Sequence, residues 1–287
     1  MPSQYQMGVR SLAYWVHGQY RQGVHPIERL RYVARAGGVD QGSLTREAAD
    51  ALASLGGDPA ELVMSCRRML ARHPTAGALW AMSARVLLAA DPMSAAWEIA
   101  RELEDDPTGG TLAAALPEDA VITLLGWPDV AADALHRRGD IEVRVLDAYG
   151  EGGGLARRLQ QGGTAVVEVP LTGLGAACAG ADVVVIEAAA AGPTGLVAAG
   201  GSLAAAAVGA TAGAQVWAAI PRGRSLPGQL FEAVKAQLDM DAPWEQEEEF
   251  VPLELVGTWV TPSGLRPPSQ GLEPDCEVAH ELLRFGY

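Results

Sequence analysis

Only one lysine, Lys235, stands among twenty arginines in the 287 residues. With abundant alanine and glycine, that bias points to a GC-rich coding sequence more than to a mechanism. Three cysteines, Cys66, Cys178 and Cys276, are far apart and in no CxxC spacing, which argues against a disulfide framework and against a zinc site. The five histidines form no HxxxH or HxH pair, so no metal or other cofactor is expected. No run approaches the roughly 18 uncharged apolar residues of a membrane helix. The start, MPSQYQMGVR, lacks a basic region followed by an apolar one, so no signal peptide is read and the cytoplasm is expected. GxSxG, a phosphate-binding GxxxxGK[ST] and a histidine beside a plausible nucleophile are all missing.

Positive charge is scarce as well. The formal net charge is −14, which argues against nucleic-acid binding, since that usually needs a basic stripe. The imbalance sits mostly in the second part. Residues 1–118 carry 13 acids against 11 arginines, whereas the remainder carries 22 acids against 10 bases. Arg10, Arg21, Arg29, Arg31 and Arg35 give the first forty residues a mildly basic character. Such an arm suits RNA, phosphate or an acidic partner. It equally suits a solvated helix face.

From Gln4 to about Glu118 the periodicity is helical. Ser43 and Thr45 offer capping hydroxyls ahead of EAADALASLG. In DPAELVMSCRRMLARHP, Asp58 reads as the cap, Pro59 as the first helical residue and Pro74 as the stop. Two further segments ending at Pro92 and Pro107 repeat the logic, making four helices with short connections. After Leu116–Asp119 the rhythm changes to short β-branched runs alternating with helices. The expected architecture is α/β: an N-terminal helical domain (1–118), then a Rossmann-like doubly wound, mainly parallel sheet of about six strands (119–287). Ligands in such sheets bind beyond the carboxyl ends of the strands. Here those ends are Gly126-Trp127, Tyr149–Gly154, Glu187–Gly195 and Pro221–Gly223.

Glycines mark most of these ends. Gly152, Gly153 and Gly154 open a helix, and main-chain N–H groups at such a start make an anion cradle; a tight turn is the plainer explanation. Glu151 and Glu187, at neighbouring strand ends, suit hydroxyl binding, acid–base work or helix capping. Cys66 and Cys178 read as buried spacers. SLAAAAVGATAGA (202–214) reads as a helix packed closely on two sides. The segment from Asp239 to Phe250 is an acidic excursion, and the tail after it is a surface strap covering an apolar groove.

Four stretches taken in order resemble one family. They are HPTAGALW (73–80, with Pro74 and Thr75), VITLLGW (121–127), GADVVVIEAAAAGPTGLVAAGGSLAAAA (180–207) and FVPLELVGTWVTPSGL (250–265). The family is that of the translation initiation factor 2B α, β and δ subunits, which includes methylthioribose-1-phosphate and ribose-1,5-bisphosphate isomerases. The resemblance implies a helical domain joined to a Rossmann-like one, dimerisation through the α/β part, and a sugar-phosphate cleft. It also exposes losses. Leu125 or Gly126 stands at the isomerases' catalytic cysteine, and Gly195 at their aspartate. Ala198-Ala199 replaces Asn-Lys, with Gly200, Gly201 and Ser202 keeping only the backbone character. Of the substrate-gripping Glu-x-Arg-Pro, Glu151 remains. The implied protein is non-catalytic: a homodimeric binding or regulatory module holding a phosphorylated sugar or nucleotide at Gly152–Gly154 and Gly200–Ser202. Two alternatives stand beside it. One is an isomerase with relocated residues; the other is a ribosome- or RNA-associated factor acting through the arginine-bearing arm.

Overall fold

The computed structural model describes residues 40–283 apart from 54, 56, 57, 239 and 240. The arginine-bearing arm lies outside the described residues. Among the described residues five helices precede the first strand: α1 (Gln41–Ala53), α2 (Pro59–Arg72), α3 (Gly77–Leu88), α4 (Pro92–Glu104) and α5 (Thr108–Ala115). Asp58 caps α2 as its sequence implies, accepting from Ala60 N, and Asp91 caps α4 through Met93 and Ser94. The start of α1 differs from expectation. Asp40 accepts from Ser43 N, and Thr45 lies inside the helix with its hydroxyl turned back onto Gln41 O. The stronger acceptor, placed earlier, takes the capping role.

The rest alternates. It runs β1 (Val121–Leu125), α6 (Asp129–Leu135), β2 (Glu142–Asp147), α7 (Gly152–Gln161), β3 (Ala165–Pro170), α8 (Leu174–Ala179) and β4 (Val183–Gly192). It continues through β5 (Gly195–Ala199), α9 (Ser202–Ala212), β6 (Gln215–Ala219), α10 (Gly228–Lys235), β7 (Glu248–Pro252), β8 (Thr258–Thr261) and β9 (Gly264–Arg266) to α11 (His280–Leu283). The sheet runs β3-β2-β1-β4-β6-β8-β9, with β5 paired to β4 and β7 in turn paired to β5. Among the described residues this sheet has nine strands, not six. The six expected runs are its parallel strands. The three extra strands, β5, β7 and β9, are all antiparallel additions.

Continuous apolar strands follow from burial on both faces. Along β4, Val183 and Val185 face a core with α5, α6 and α7, whereas Val184 and Ile186 face one with α8 and α9. Past Glu187, β4 leaves the parallel array and turns back through β5 as a hairpin. One face of this hairpin, with Ala188, Ala191, Leu196 and Ala198, joins the α9 side. The other, with Ala189, Ala190 and Val197, joins the core of α1–α4, together with Leu226, Leu230, Phe231 and Ala279. The 118/119 position falls between α5 and β1, and one hydrophobic core crosses it. Alanine is a poor strand former, yet here only small residues fit. A Cβ on Gly77 of α3 would lie 2.7 Å from Ala189 O.

Helix α9 is packed closely on the sheet side, where a Cβ at Gly209 would lie 2.8 Å from Val184 Cγ2. Its outer face, including Leu203, Ala204, Ala210 and Thr211, is exposed. The close packing expected on two sides is provided by the sheet beneath and by α8 alongside, and the outer face is left open. Among the described residues no helix is long and apolar enough to cross a membrane.

The α3–hairpin contact has a testable consequence. Gly→Ala in a helix ordinarily stabilises by about 0.5–1 kcal/mol. Gly77→Ala should instead destabilise by about 1–3 kcal/mol, because the added methyl meets backbone that cannot turn away. Urea denaturation decides it; a gain in midpoint would disprove the close contact.

Candidate functional site

Strand order reverses between β1 and β4, so the crevice of a doubly wound sheet opens there. A cavity of about 340 Å³ occupies this position. Its walls are Asp40 and Gln41 from the start of α1, Asp106, Asp129 and Asp133 from the α5 and α6 ends, Arg158 from α7, and Arg222 and Arg224 from the loop after β6. Gln41 ties the helical layer down over it. Its Nε2 donates to Ala189 O at 3.0 Å, and its Oε1 accepts from Ala78 N at 3.1 Å.

Glu187 is the last residue of the parallel part of β4, and with Arg224 it forms a buried ion pair at 2.7 Å, their side chains 5% and 8% exposed. The second carboxylate oxygen of Glu187 accepts from Ala131 N in the first turn of α6 at 2.9 Å, and Arg224 also donates to Ala188 O at 2.8 Å. Glu187 is therefore committed to structure. The other charges differ. Arg158 pairs with Asp133, whereas Arg222 makes no side-chain hydrogen bond among the described residues and its Nε is buried without a partner. Asp129, half-buried, is pushed up to about 7, first by burial and then by Glu187 and Asp40. Among the described residues the crevice thus offers a guanidinium, Arg222, that faces Glu102 and Asp275 electrostatically but makes no side-chain hydrogen bond, and a carboxyl, Asp129, poised near neutrality.

The glycine clusters lie at helix starts, and each start already holds a carboxylate of the chain. Gly152 N donates to Asp147 Oδ1 at 2.9 Å. Cβ atoms at Gly152 and Gly154 would lie 2.8 Å from Asp147 Cα and 2.7 Å from the Trp127 ring, so close packing holds these two to glycine, whereas at Gly153 the neighbour is the movable, exposed end of Glu168. At α9, Glu249 of β7 accepts from Gly201 N at 2.6 Å and from Leu203 N at 2.8 Å, and Gly200 N donates to Glu247 O at 2.8 Å. Ser202 is buried below. Glu151 is exposed beside Gly126, and burial with nearby Glu247 and Asp147 raises its pKa. Trp127 covers Gly154 and stands 6.0 Å from the Arg158 guanidinium. Gly195 belongs to the hairpin, packed against Phe250. Pro74 O accepts the Trp80 indole N–H at 2.8 Å, and the Thr75 hydroxyl bonds Glu248.

Of the residues singled out by sequence, Glu187 borders the crevice through Arg224 and Trp127 through Arg158. The glycines surround other helix starts. Sequence reasoning missed Gln41, Asp106, Asp129, Asp133, Arg158, Arg222 and Arg224. A usable signal existed for three of them. Asp129 follows the end of β1 by four residues, and Arg222 and Arg224 follow the end of β6 closely, at the edge where such sheets bind ligands.

These features define a class: an α/β protein whose helical layer closes the switch-point crevice of a doubly wound sheet. Solved structures of the same architecture include translation initiation factor 2B subunits. The Pyrococcus horikoshii OT3 eIF-2B structure matches with a TM-score of 0.75 and 15% identity, over 88% of this chain and 100% of that one. The eIF2B beta subunit from Chaetomium thermophilum gives 0.67 and 16%, over 90% and 91%. A chain of the tetrameric eIF2B β2δ2 complex from C. thermophilum gives 0.66 and 15%, over 85% and 91%. At these identities the likeness is one of fold. No protein-family model and no curated protein matches the sequence.

The crevice carboxyl is open to measurement without any ligand. The unfolded chain sheds the Asp129 proton near pH 4 and the folded chain near pH 7, so wild-type stability falls across that window. Asp129→Asn removes this loss. Its stability relative to wild type should rise by on the order of 1–3 kcal/mol between pH 4 and pH 8. A constant offset across the range would mean an ordinary carboxylate.

Proposed function

We propose that this chain is a non-catalytic binding or regulatory protein on an initiation factor 2B-like scaffold, working in the cytoplasm as a homodimer. It is built as a helical unit, 1–118, and an α/β unit, 119–287. Its ligand is a phosphorylated sugar or nucleotide, seated in the switch-point crevice rather than at the glycine clusters. The observation carrying this reading is Arg222, which lines a roomy cavity and whose guanidinium makes no side-chain hydrogen bond among the described residues. A guanidinium in that state is a ready seat for a phosphate group. Asp40 and Asp129 stand by to accept sugar hydroxyls.

The absence of catalysis is supported by where the thiols lie. Burial pushes Cys66 and Cys276 up to about 12 and Cys178 to about 11. None of the three lines the crevice, and thiols in that state are poor nucleophiles. Pairing with a second copy is supported by the charge-free outer face of α8 and α9, with Leu171, Gly175, Ala176, Leu203 and Ala204 exposed. A tetrameric eIF2B complex among the structures of this fold is consistent with assembly.

One observation favours a second reading. A carboxyl near pH 7 in a crevice is a common feature of general acids and bases, so Asp129 is the residue on which an isomerase with relocated chemistry would rest.

A thermal-shift screen with ribose, ribulose and nucleotide phosphates should raise the wild-type melting temperature by several degrees for at least one compound, and Arg222→Ala should abolish the rise. No shift with any of them would remove the ligand reading. Turnover of ribose-1,5-bisphosphate or methylthioribose-1-phosphate that disappears in Asp129→Asn would replace the binding reading with the enzymatic one. Ala204→Arg should convert the dimer to monomer in sedimentation; a wild-type monomer would refute the pairing.

A further inference from the structure

The walls of the switch-point crevice carry more negative than positive charge. Asp40, Asp106, Asp129 and Asp133 line it against Arg158, Arg222 and Arg224, and most of these groups are already engaged. Arg158 pairs with Asp133, and Arg224 is taken by the buried Glu187. Asp106 accepts from Thr108 N at 3.0 Å, from the Thr108 hydroxyl at 2.6 Å and from Arg222 N at 3.1 Å. Arg222 itself faces Glu102 and Asp275. Two carboxylates are left less well answered. Asp129 makes no side-chain hydrogen bond among the described residues, and Asp40 stands near enough to repel it. Asp40 accepts from Ser43 N at 2.8 Å through one oxygen.

A sugar phosphate brings still more negative charge into this crevice. Arg222 answers the phosphate, but Asp129 and Asp40 keep their charges. Arg224 also acts on Asp129, yet its charge is shared with Glu187. Hydroxyls would satisfy the hydrogen bonding of these carboxylates and leave their charge uncompensated. Like charges repel more strongly in a half-buried site than in water. Burial first, then Glu187, Asp40 and Asp133, hold the Asp129 carboxyl up at about 7. A positive group placed there converts the repulsion into a charge-assisted hydrogen bond. Resting on the crevice reading above, we propose that the ligand is a zwitterion: a sugar phosphate that also carries an ammonium group, its phosphate at Arg222 and its ammonium beside Asp129 and Asp40. The same walls discriminate against plain sugar phosphates, which leave both carboxylates uncompensated.

The test titrates the full chain by calorimetry at pH 7, free of divalent cations, with three probes: glucosamine 6-phosphate, N-acetylglucosamine 6-phosphate and glucose 6-phosphate. The acetyl compound keeps the nitrogen and removes its charge. Glucosamine 6-phosphate should bind about tenfold more tightly than either of the others. Asp129→Asn, which keeps the shape and removes the carboxylate, should bring all three within about twofold of one another. Arg222→Ala should weaken all three. The ammonium inference is overturned if glucose 6-phosphate binds as tightly as the amino sugar, or if the preference survives in Asp129→Asn. It is equally overturned if added magnesium raises glucose 6-phosphate to the affinity of the amino sugar, because a metal ion would then supply the charge. Failure of glucosamine 6-phosphate to bind, while a plain sugar phosphate raises the melting temperature, would remove this inference and leave the crevice reading standing. Binding of no phosphate compound at all would remove both.

Discussion

Glu187 and Arg224 meet where three parts of the molecule converge, and their pairing decides what each part can do. The carboxylate ends the parallel run of β4, holds the first turn of α6 through Ala131 N, and fixes the loop after β6 through Arg224. Breaking such a buried pair by removing one partner ordinarily costs several kcal/mol, because the remaining charge is stranded away from water. A group held this tightly is unsuited to exchanging protons or gripping a substrate. Beside it, Arg222 and Asp129 make no side-chain hydrogen bond among the described residues, and the proposed ligand site rests on them.

The same economy recurs along the carboxyl edge of the sheet. Asp147 serves the start of α7, Glu187 that of α6 and Glu249 that of α9. Helix starts attract anions, and in this chain the anions are its own side chains. That is consistent with the surplus of acids in the second part of the sequence. It also supplies a physical reason for the glycine-rich turns. The glycines admit Asp147, Glu168 and Trp127 at close range instead of leaving open cradles.

Much of the architecture was legible because it rests on local rules. Proline stops and the aspartate before Pro59 marked α2, and the β-branched runs marked all six parallel strands. The antiparallel additions were hidden for a different reason. AAAAG and GLVAA carry little strand propensity and no alternation, since both faces of that hairpin are buried and small residues at Ala189 and Ala190 allow α3 to approach. The site was less legible than the fold. Glycine spacing announced flexible backbone but not what already occupied it, and a partner such as Glu249 is 48 residues from Gly201. Arg222 and Asp129 gave no motif; their meaning comes from the absence of partners, which only packing shows. The resemblance to initiation factor 2B subunits holds in the fold, and function has to be argued from the site itself.

The central claim is that these helix starts are filled from within and that Arg222, which makes no side-chain hydrogen bond among the described residues, is the seat for an anionic ligand. Tungstate soaked into crystals of the protein and located by its anomalous scattering addresses both halves at once. A single peak beside the Arg222 guanidinium is expected. Peaks at Gly152–Gly154 or Gly200–Ser202, with Arg222 bare, would contradict it.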